Sequence, residues 1–159
     1  MNAGQILGPG QGKVITLPGV TAVFKAVDNR RPGDFVMLEL TVEPGFVGPR
    51  PHLHRTHEEL FFVLEGEFDF FIDGEVRRLG PGSFANVPPG VMHDFRNAGT
   101  EPARWLGTVA PAGFDGYFED ILALVASGRL SDEELRRLRL QYDTEEPDEV
   151  PAGHWSVSR

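Results

Sequence analysis

Apolar and polar positions alternate through most of the first 110 residues, and that period of two predicts a series of short β-strands. The expected strands are Val14 to Leu17, Thr21 to Val27, Phe35 to Val42, Glu59 to Glu65, Glu67 to Ile72, Glu75 to Leu79, Ser83 to Val87, a strand opening at His93 and reaching Asn97, and Ala103 to Val109. Turn residues separate them: Pro18-Gly19, the Asn29 to Asp34 cluster with Arg30 and Arg31, Gly66, Asp73-Gly74, Gly80-Pro81-Gly82 and Pro88-Pro89-Gly90. Asp73-Gly74 predicts a two-residue hairpin turn, because both residues tolerate positive φ. Residues 1–12 are glycine-rich and read as a loose arm. Many short strands without intervening helices predict an all-β jelly-roll barrel.

After Pro111 the period changes. Asp115 is a candidate cap for a helix from Gly116 to Ser127, with Phe118, Ile121, Leu122 and Val125 on one face and Gly128 as its stop. Ser131 to Glu134 reads S-D-E-E, a capping-box pattern for a second helix to about Tyr142, with Leu130 and Leu135 as a hydrophobic staple. Leu135, Leu138 and Tyr142 share a face. These two short C-terminal helices are expected to pack outside the barrel or cap one end. From Asp143 the acidic, proline-containing tail is expected to fray, with Trp155 as its candidate anchor. His154, in this tail, carries no argument. The expected organisation is a single domain over 1–159: a barrel at 13–110, a helical extension at 114–142 and a tail at 143–159.

Composition narrows the function. A chain of 159 residues, 40% hydrophobic and 25% charged, has the length and make-up to bury a core without staples. There is no cysteine, which removes disulfides and thiolate metal sites. A net charge of −9 argues against nucleic acid as a partner. No stretch approaches the ~20 apolar residues of a membrane span, and the first residues lack the pattern of a secretion signal, so no membrane partner and a cytoplasmic location are expected.

The candidate chemistry sits in two stretches. Gly48 to Gly66 reads G-P-R-P-H-L-H-R-T-H-E-E-L-F-F-V-L-E-G and holds His52, His54 and Glu59; Gly82 to Asn97 adds His93. His52 and His54 are two apart on an extended chain and point the same way. Three imidazoles and one carboxylate make a shell for one divalent transition metal ion, and this donor set suits iron, manganese, nickel, cobalt or zinc. Glu58 competes with Glu59, but Glu59 shares parity with Phe61 and Val63, which places it on the inner face. His57 reads as a loop residue. Met37, Phe61, Val63, Phe84, Phe95 and Trp105 are candidates for the wall of a pocket for a small-molecule substrate. Arg50, Arg55 and Arg96 lie near the ligands in sequence and read as solvated surface charges.

These stretches resemble the paired motifs of the cupin superfamily. His52, His54, Glu59 and Gly66 fit the first motif, whose leading glycine is replaced: Phe46 stands at its place, with Gly45 just before and Gly48 two after. Gly82, Pro88, Gly90, His93 and Asn97 match every position of the second. The resemblance implies a double-stranded β-helix with His52, His54, Glu59 and His93 as metal ligands, and an assembly as homodimers through edge strands and outer sheet faces. Leu60, Phe62 and Leu64 are the apolar outward residues such an interface would cover. The short barrel followed by F-D-G-Y-F-E-D is similar to bacterial quercetin dioxygenase-like cupins, which implies a metal-dependent dioxygenase acting on a small aromatic or enolic substrate, with Glu59 as both ligand and general base. The alternatives are a metal-dependent isomerase, decarboxylase or lyase on the same site, or a non-catalytic small-molecule-binding protein.

Overall fold

The computed structural model describes residues 5–26 and 33–156. Within them the chain forms β1 (Lys13–Leu17), β2 (Val20–Ala26), β3 (Val36–Val42), β4 (Leu53–His54), β5 (Glu58–Glu65), β6 (Phe68–Ile72), β7 (Glu75–Leu79), β8 (Phe84–Val87), β9 (His93–Arg96), β10 (Ala103–Ala110), α1 (Asp115–Ala126), α2 (Asp132–Gln141) and β11 (Thr144–Glu145). The strands expected from the period of two are present within one or two residues of their predicted ends. Val27 and the Asn29 to Pro32 part of the predicted turn lie outside the described residues.

Six strands form one antiparallel sheet in the order β1-β2-β3-β10-β5-β8, and β7-β6-β9 form a second. The short pair β11-β4 and a bridge between His52 and His93 join the rim. Alternation puts Val36, Leu38, Leu40 and Val42 of β3 against Ala103, Trp105, Gly107 and Val109 of β10 inside the large sheet. Phe68 and Phe70 face them from the second sheet, and both are buried. This apolar filling needs nothing from the polar rim, so the barrel has its own source of stability. Asp73 and Gly74 both take positive φ, 49° and 86°, and close the β6–β7 hairpin as expected.

The helical extension differs from its sequence reading in one detail. Asp115 is the first residue of α1 rather than its cap; Phe114 holds the cap position and no side chain caps the helix. Phe114 is only 8% exposed, so burial of its ring outweighs the missing cap hydrogen bond. Ser131 caps α2 as expected, its side chain accepting from the Glu134 amide at 3.2 Å. Both helices close one end of the barrel.

The tail overturns its expectation. Instead of fraying at Asp143, the chain forms β11 and pairs with β4, setting Thr144 opposite His54 and Glu145 opposite Leu53. Farther on, His154 is 3% exposed, with Nε2 3.1 Å from an Asp94 carboxylate oxygen and its ring 5.1 Å from Phe71. Trp155 does act as an anchor, with the Arg96 guanidinium 4.8 Å from its ring centre. This cover explains why β6 breaks alternation and buries Phe68, Asp69, Phe70 and Phe71 in a row. Among the described residues, no helix is long and apolar enough to cross a membrane.

Candidate metal centre

His52 and His54 lie on the strand entering the barrel rim, Glu59 is the second residue of β5, and His93 opens β9. Backbone hydrogen bonds lock the two stretches together: the His52 amide donates to the His93 carbonyl at 3.0 Å, the His93 amide to the His52 carbonyl at 2.8 Å, and the Gly90 amide to the His54 carbonyl at 2.7 Å. Gly48 supplies the tight approach that brings this loop in. Its φ is +91°, and a Cβ there would sit 2.0 Å from the Phe95 carbonyl oxygen. The glycine requirement is therefore met two residues after Phe46, whose ring instead packs 6.3 Å from Phe95.

The four side chains converge. One donor atom from each of His52, His54, Glu59 and His93 lies within 4.8 Å of all the others, and all four residues are buried. Glu59 and not Glu58 joins the imidazoles, because Glu59 shares the inward parity of Phe61 and Val63. The three rings are oriented alike. Nδ1 of His52 lies 2.8 Å from the Arg50 carbonyl oxygen, Nδ1 of His93 3.0 Å from that of Val91, and Nδ1 of His54 3.2 Å from that of Asp143. A carbonyl oxygen can only accept, so in each neutral ring Nδ1 carries the proton and Nε2 faces the centre. Among the described residues, His54 Nε2 is buried without a hydrogen-bond partner; at 3.5 Å the Glu59 oxygen is too far to be a good one. A buried orphan nitrogen aimed at two imidazoles and a carboxylate is what a transition-metal site requires, and these residues fit such an ion.

Electrostatics agree with a site built for a cation. Burial, and then the charges of His93 and His54, hold the His52 pKa well below its ordinary 6.5. Burial alone would raise the Glu59 pKa, but attraction to the facing His54 and His93 rings outweighs it and holds the carboxyl well below 4.5. His54 is raised: burial opposes the charged form, and the Glu59 carboxylate more than offsets it. The signs set a pH dependence for metal-free protein. His52 in the fold resists the proton that the unfolded chain accepts, so its contribution falls as pH drops below 6.5, and that of Glu59 falls below 4.5. His54 stabilises fully below 6.5 and loses this as pH rises through its raised value. An NMR titration of chelator-treated protein is expected to show the His54 ring keeping its proton to higher pH than the His52 ring; the reverse order would contradict these directions.

A cavity of about 300 Å³ opens above the ligands. His52, Glu59 and His93 form its polar floor, and Phe61, Phe95 and Trp105 stand in its wall as expected. The other three expected wall residues are elsewhere. Met37 has the outward parity of β3, because Val36 and Leu38 take the inner face. Val63 is inside but fully buried in the core, outside the cavity lining. Phe84 lies on the outer face of β8, 59% exposed, since Ala85 and Val87 face inward. Gly107 beneath the indole explains how Trp105 fits, since a Cβ there would meet the ring at 2.3 Å.

Sequence reasoning missed the mouth. Phe114, Tyr117, Phe118, Ile121 and Val125 from α1 and its cap, with Leu135 of α2 and Leu130 just before it, close the cavity. Arg139 of α2 also lines it, held by an ion pair with the buried Glu146 and a 3.2 Å hydrogen bond to the Tyr117 hydroxyl. Arg50, Arg55 and Arg96 are not in the lining; they pair with Glu146, Glu145 and Asp69. His57 sits outside the cluster, its Nδ1 3.2 Å from the Asp143 carboxylate.

Comparison with known proteins gives this arrangement its family. A cupin-domain model matches residues 38–109. A protein of Streptomyces cyaneus named polyketide synthase CurC is 32% identical over 108 residues, which cover 59% of this chain and 70% of that one. The chain belongs to the cupin family. A quercetin 2,3-dioxygenase of Bacillus subtilis is 31% identical over 70 residues, covering 44% of this chain but only 20% of the relative's length. Among solved structures, KdgF from Halomonas sp. superposes with a TM-score of 0.62 at 21% identity, covering 72% of this chain and 99% of the other. That likeness is one of fold, the double-stranded β-helix, which in this chain is followed by α1 and α2.

Proposed function

We propose that this cupin is a metal-dependent enzyme acting on a small, largely apolar aromatic or enolic substrate, and that its reaction is dioxygenation. The observation that carries the reading is the convergence of three imidazoles with the Glu59 carboxylate beside an apolar cavity whose floor His52, Glu59 and His93 form. The quercetin dioxygenase likeness supports the oxygen chemistry. A bound divalent ion supplies Lewis acidity and, where redox-active, an electron path between substrate and dioxygen.

The protein's own residues do the rest. His52, His54 and His93 present neutral Nε2 donors; Phe61, Phe95 and Trp105 hold a flat substrate body and exclude water. Trp105 Nε1 is buried without a partner among the described residues and offers a donor to a ligand oxygen. Arg139 puts a cation beside an otherwise apolar mouth, suited to an ionised substrate oxygen. Glu59, kept ionised by its neighbours, accepts the substrate's hydroxyl proton at its carboxylate. Glu59→Gln is therefore expected to lower turnover by about 100- to 10,000-fold while weakening metal binding less than loss of a histidine does. Oxygen uptake with a panel of flavonols, catechols and β-diketones tests the reading; product without oxygen consumption would reject dioxygenation.

One observation favours a second reading. The relative with the larger shared length carries a polyketide synthase name, which supports Lewis-acid chemistry such as isomerisation or elimination on an enolisable polyketide, without dioxygen. The same panel under anaerobic conditions separates the two. A binding protein without catalysis would turn over nothing in either atmosphere.

The assembly belongs to the same proposal. Leu60, Phe62 and Leu64 point outward from β5, and Phe62 and Phe84, opposite each other across β5 and β8, are 43% and 59% exposed. Because α1 and α2 close the cavity mouth, they are not the cover for this face. A second copy is, and light scattering is expected to give twice the 17.6 kDa chain mass; a concentration-independent 17.6 kDa would reject the dimer.

A further inference from the structure

Two of the three histidines take their orientation from their own strand. His52 and His93 each donate from Nδ1 to the carbonyl two residues earlier, Arg50 and Val91. His54 does not. Its Nδ1 partners lie 89 and 90 residues downstream: the Asp143 carbonyl oxygen and the Thr144 hydroxyl, each at 3.2 Å. The Thr144 hydroxyl is itself 3.2 Å from the Tyr142 carbonyl oxygen, to which it can only donate. Its own oxygen therefore accepts from His54, and both neighbours demand a proton on Nδ1.

The segment that supplies these acceptors is tied down at the same place. Thr144 pairs with His54 in the β11–β4 ladder. Asp143 turns the chain there with φ 57°, and its carboxylate accepts from both the amide and the hydroxyl of Thr56, each at 2.7 Å. Thr56 lies between the ligands His54 and Glu59, so one carboxylate also fixes the turn that separates them. The tie extends to the cavity, because Thr144 lines it and α2, which closes its mouth, leads directly into β11.

We propose that Asp143 and Thr144 are positioning residues for His54, so that the C-terminal segment completes a metal centre otherwise supplied by the barrel. The proposal rests on the reading that the site holds a metal. The segment does not touch the ion; it fixes the tautomer and direction of one ligand. The coupling is reciprocal, so a bound ion also holds the segment in place. The acceptors stand opposite in sequence to both ligand stretches, which is why neither stretch reveals them.

The test uses the full chain in wild-type form and as Thr144→Val, Asp143→Gly and Thr144→Ser. Valine keeps the shape of threonine and removes the acceptor. Glycine accepts the positive φ of position 143 without strain and removes the carboxylate alone. Zinc affinity is measured by competition with a chromophoric chelator, and the imidazole nitrogen spectrum of metal-free protein in mildly alkaline solution reports the His54 tautomer. Thr144→Val and Asp143→Gly are expected to bind zinc about 10- to 100-fold more weakly, and Thr144→Val to weaken the preference for a proton on Nδ1, while Asp143→Gly, which keeps both acceptors, retains the tautomer and Thr144→Ser stays near wild type. Wild-type zinc affinity in both variants, or a wild-type tautomer in Thr144→Val, overturns the proposal. A wild-type protein that takes up no zinc would instead remove the metal reading, and the tautomer comparison then decides on its own whether the segment orients His54.

Discussion

His93→Ala is expected to give a folded protein that no longer retains metal. His93 is 1% exposed and supplies one of only four donors, and its Nε2 lies 2.8 Å from the Glu59 carboxylate. Its loss therefore removes a ligand and weakens the hold on a second. Changes that only touch a ligand's supports typically cost about 10- to 100-fold in affinity, so loss of the ligand should exceed about a hundredfold. The barrel should survive, because Val36, Leu38, Leu40, Phe68 and Phe70 bury their surface away from the rim. The penalty to the metal-free fold is of the order of 1–3 kcal/mol, from the Glu59 carboxylate left short of a partner. His52→Ala should behave alike. Metal content after purification, beside a thermal melt, measures both effects, and full metal content in either variant would refute the ligand assignment.

Phe68→Ala is expected to do the reverse, costing stability with no direct effect on the ligands. Phe68 is fully buried at the start of β6, with its ring centre 6.0 Å from Phe70 and 6.2 Å from Phe95. Truncating a phenylalanine in such surroundings costs about 3–5 kcal/mol, since the vacated space is walled by rings that belong to paired strands and cannot all move in. That is a large share of the ~5–15 kcal/mol available to a domain. Urea unfolding measures it; a shift worth less than about 1 kcal/mol would show that the core repacks freely around this position.

The two variants separate what was legible in the sequence from what was not. The strands were legible because alternation has one physical cause, a buried face, and Asp73-Gly74 was legible because few residues accept positive φ. The ligands could be read because spacing sets parity: His52 and His54 stand two apart, and Glu59 shares the inward parity of Phe61 and Val63. Parity also explains the errors. Met37 and Phe84 are apolar residues on outward positions, and hydrophobicity alone placed them in a pocket that Val36, Leu38 and Ala85 turn them away from. The cavity mouth and the docked tail were hidden for another reason. Arg139, Asp143, Thr144 and His154 acquire their roles from residues 60 to 90 positions earlier or from an element packed across the cavity, and no local pattern carries such a pairing. The run Phe68 to Phe71, buried on both faces, was the one local hint that something covers that strand.

The central claim is that His52, His54, Glu59 and His93 hold a transition-metal ion. Elemental analysis of the protein purified without chelator, followed by titration of the metal-stripped protein with iron, manganese, nickel, cobalt and zinc, tests it most directly. The geometry predicts about one equivalent per chain for at least one of these ions, bound by the wild type and not by His93→Ala. A protein that carries no metal and takes up none of the five would contradict the account, and with it the metal-dependent enzyme proposed for this cavity.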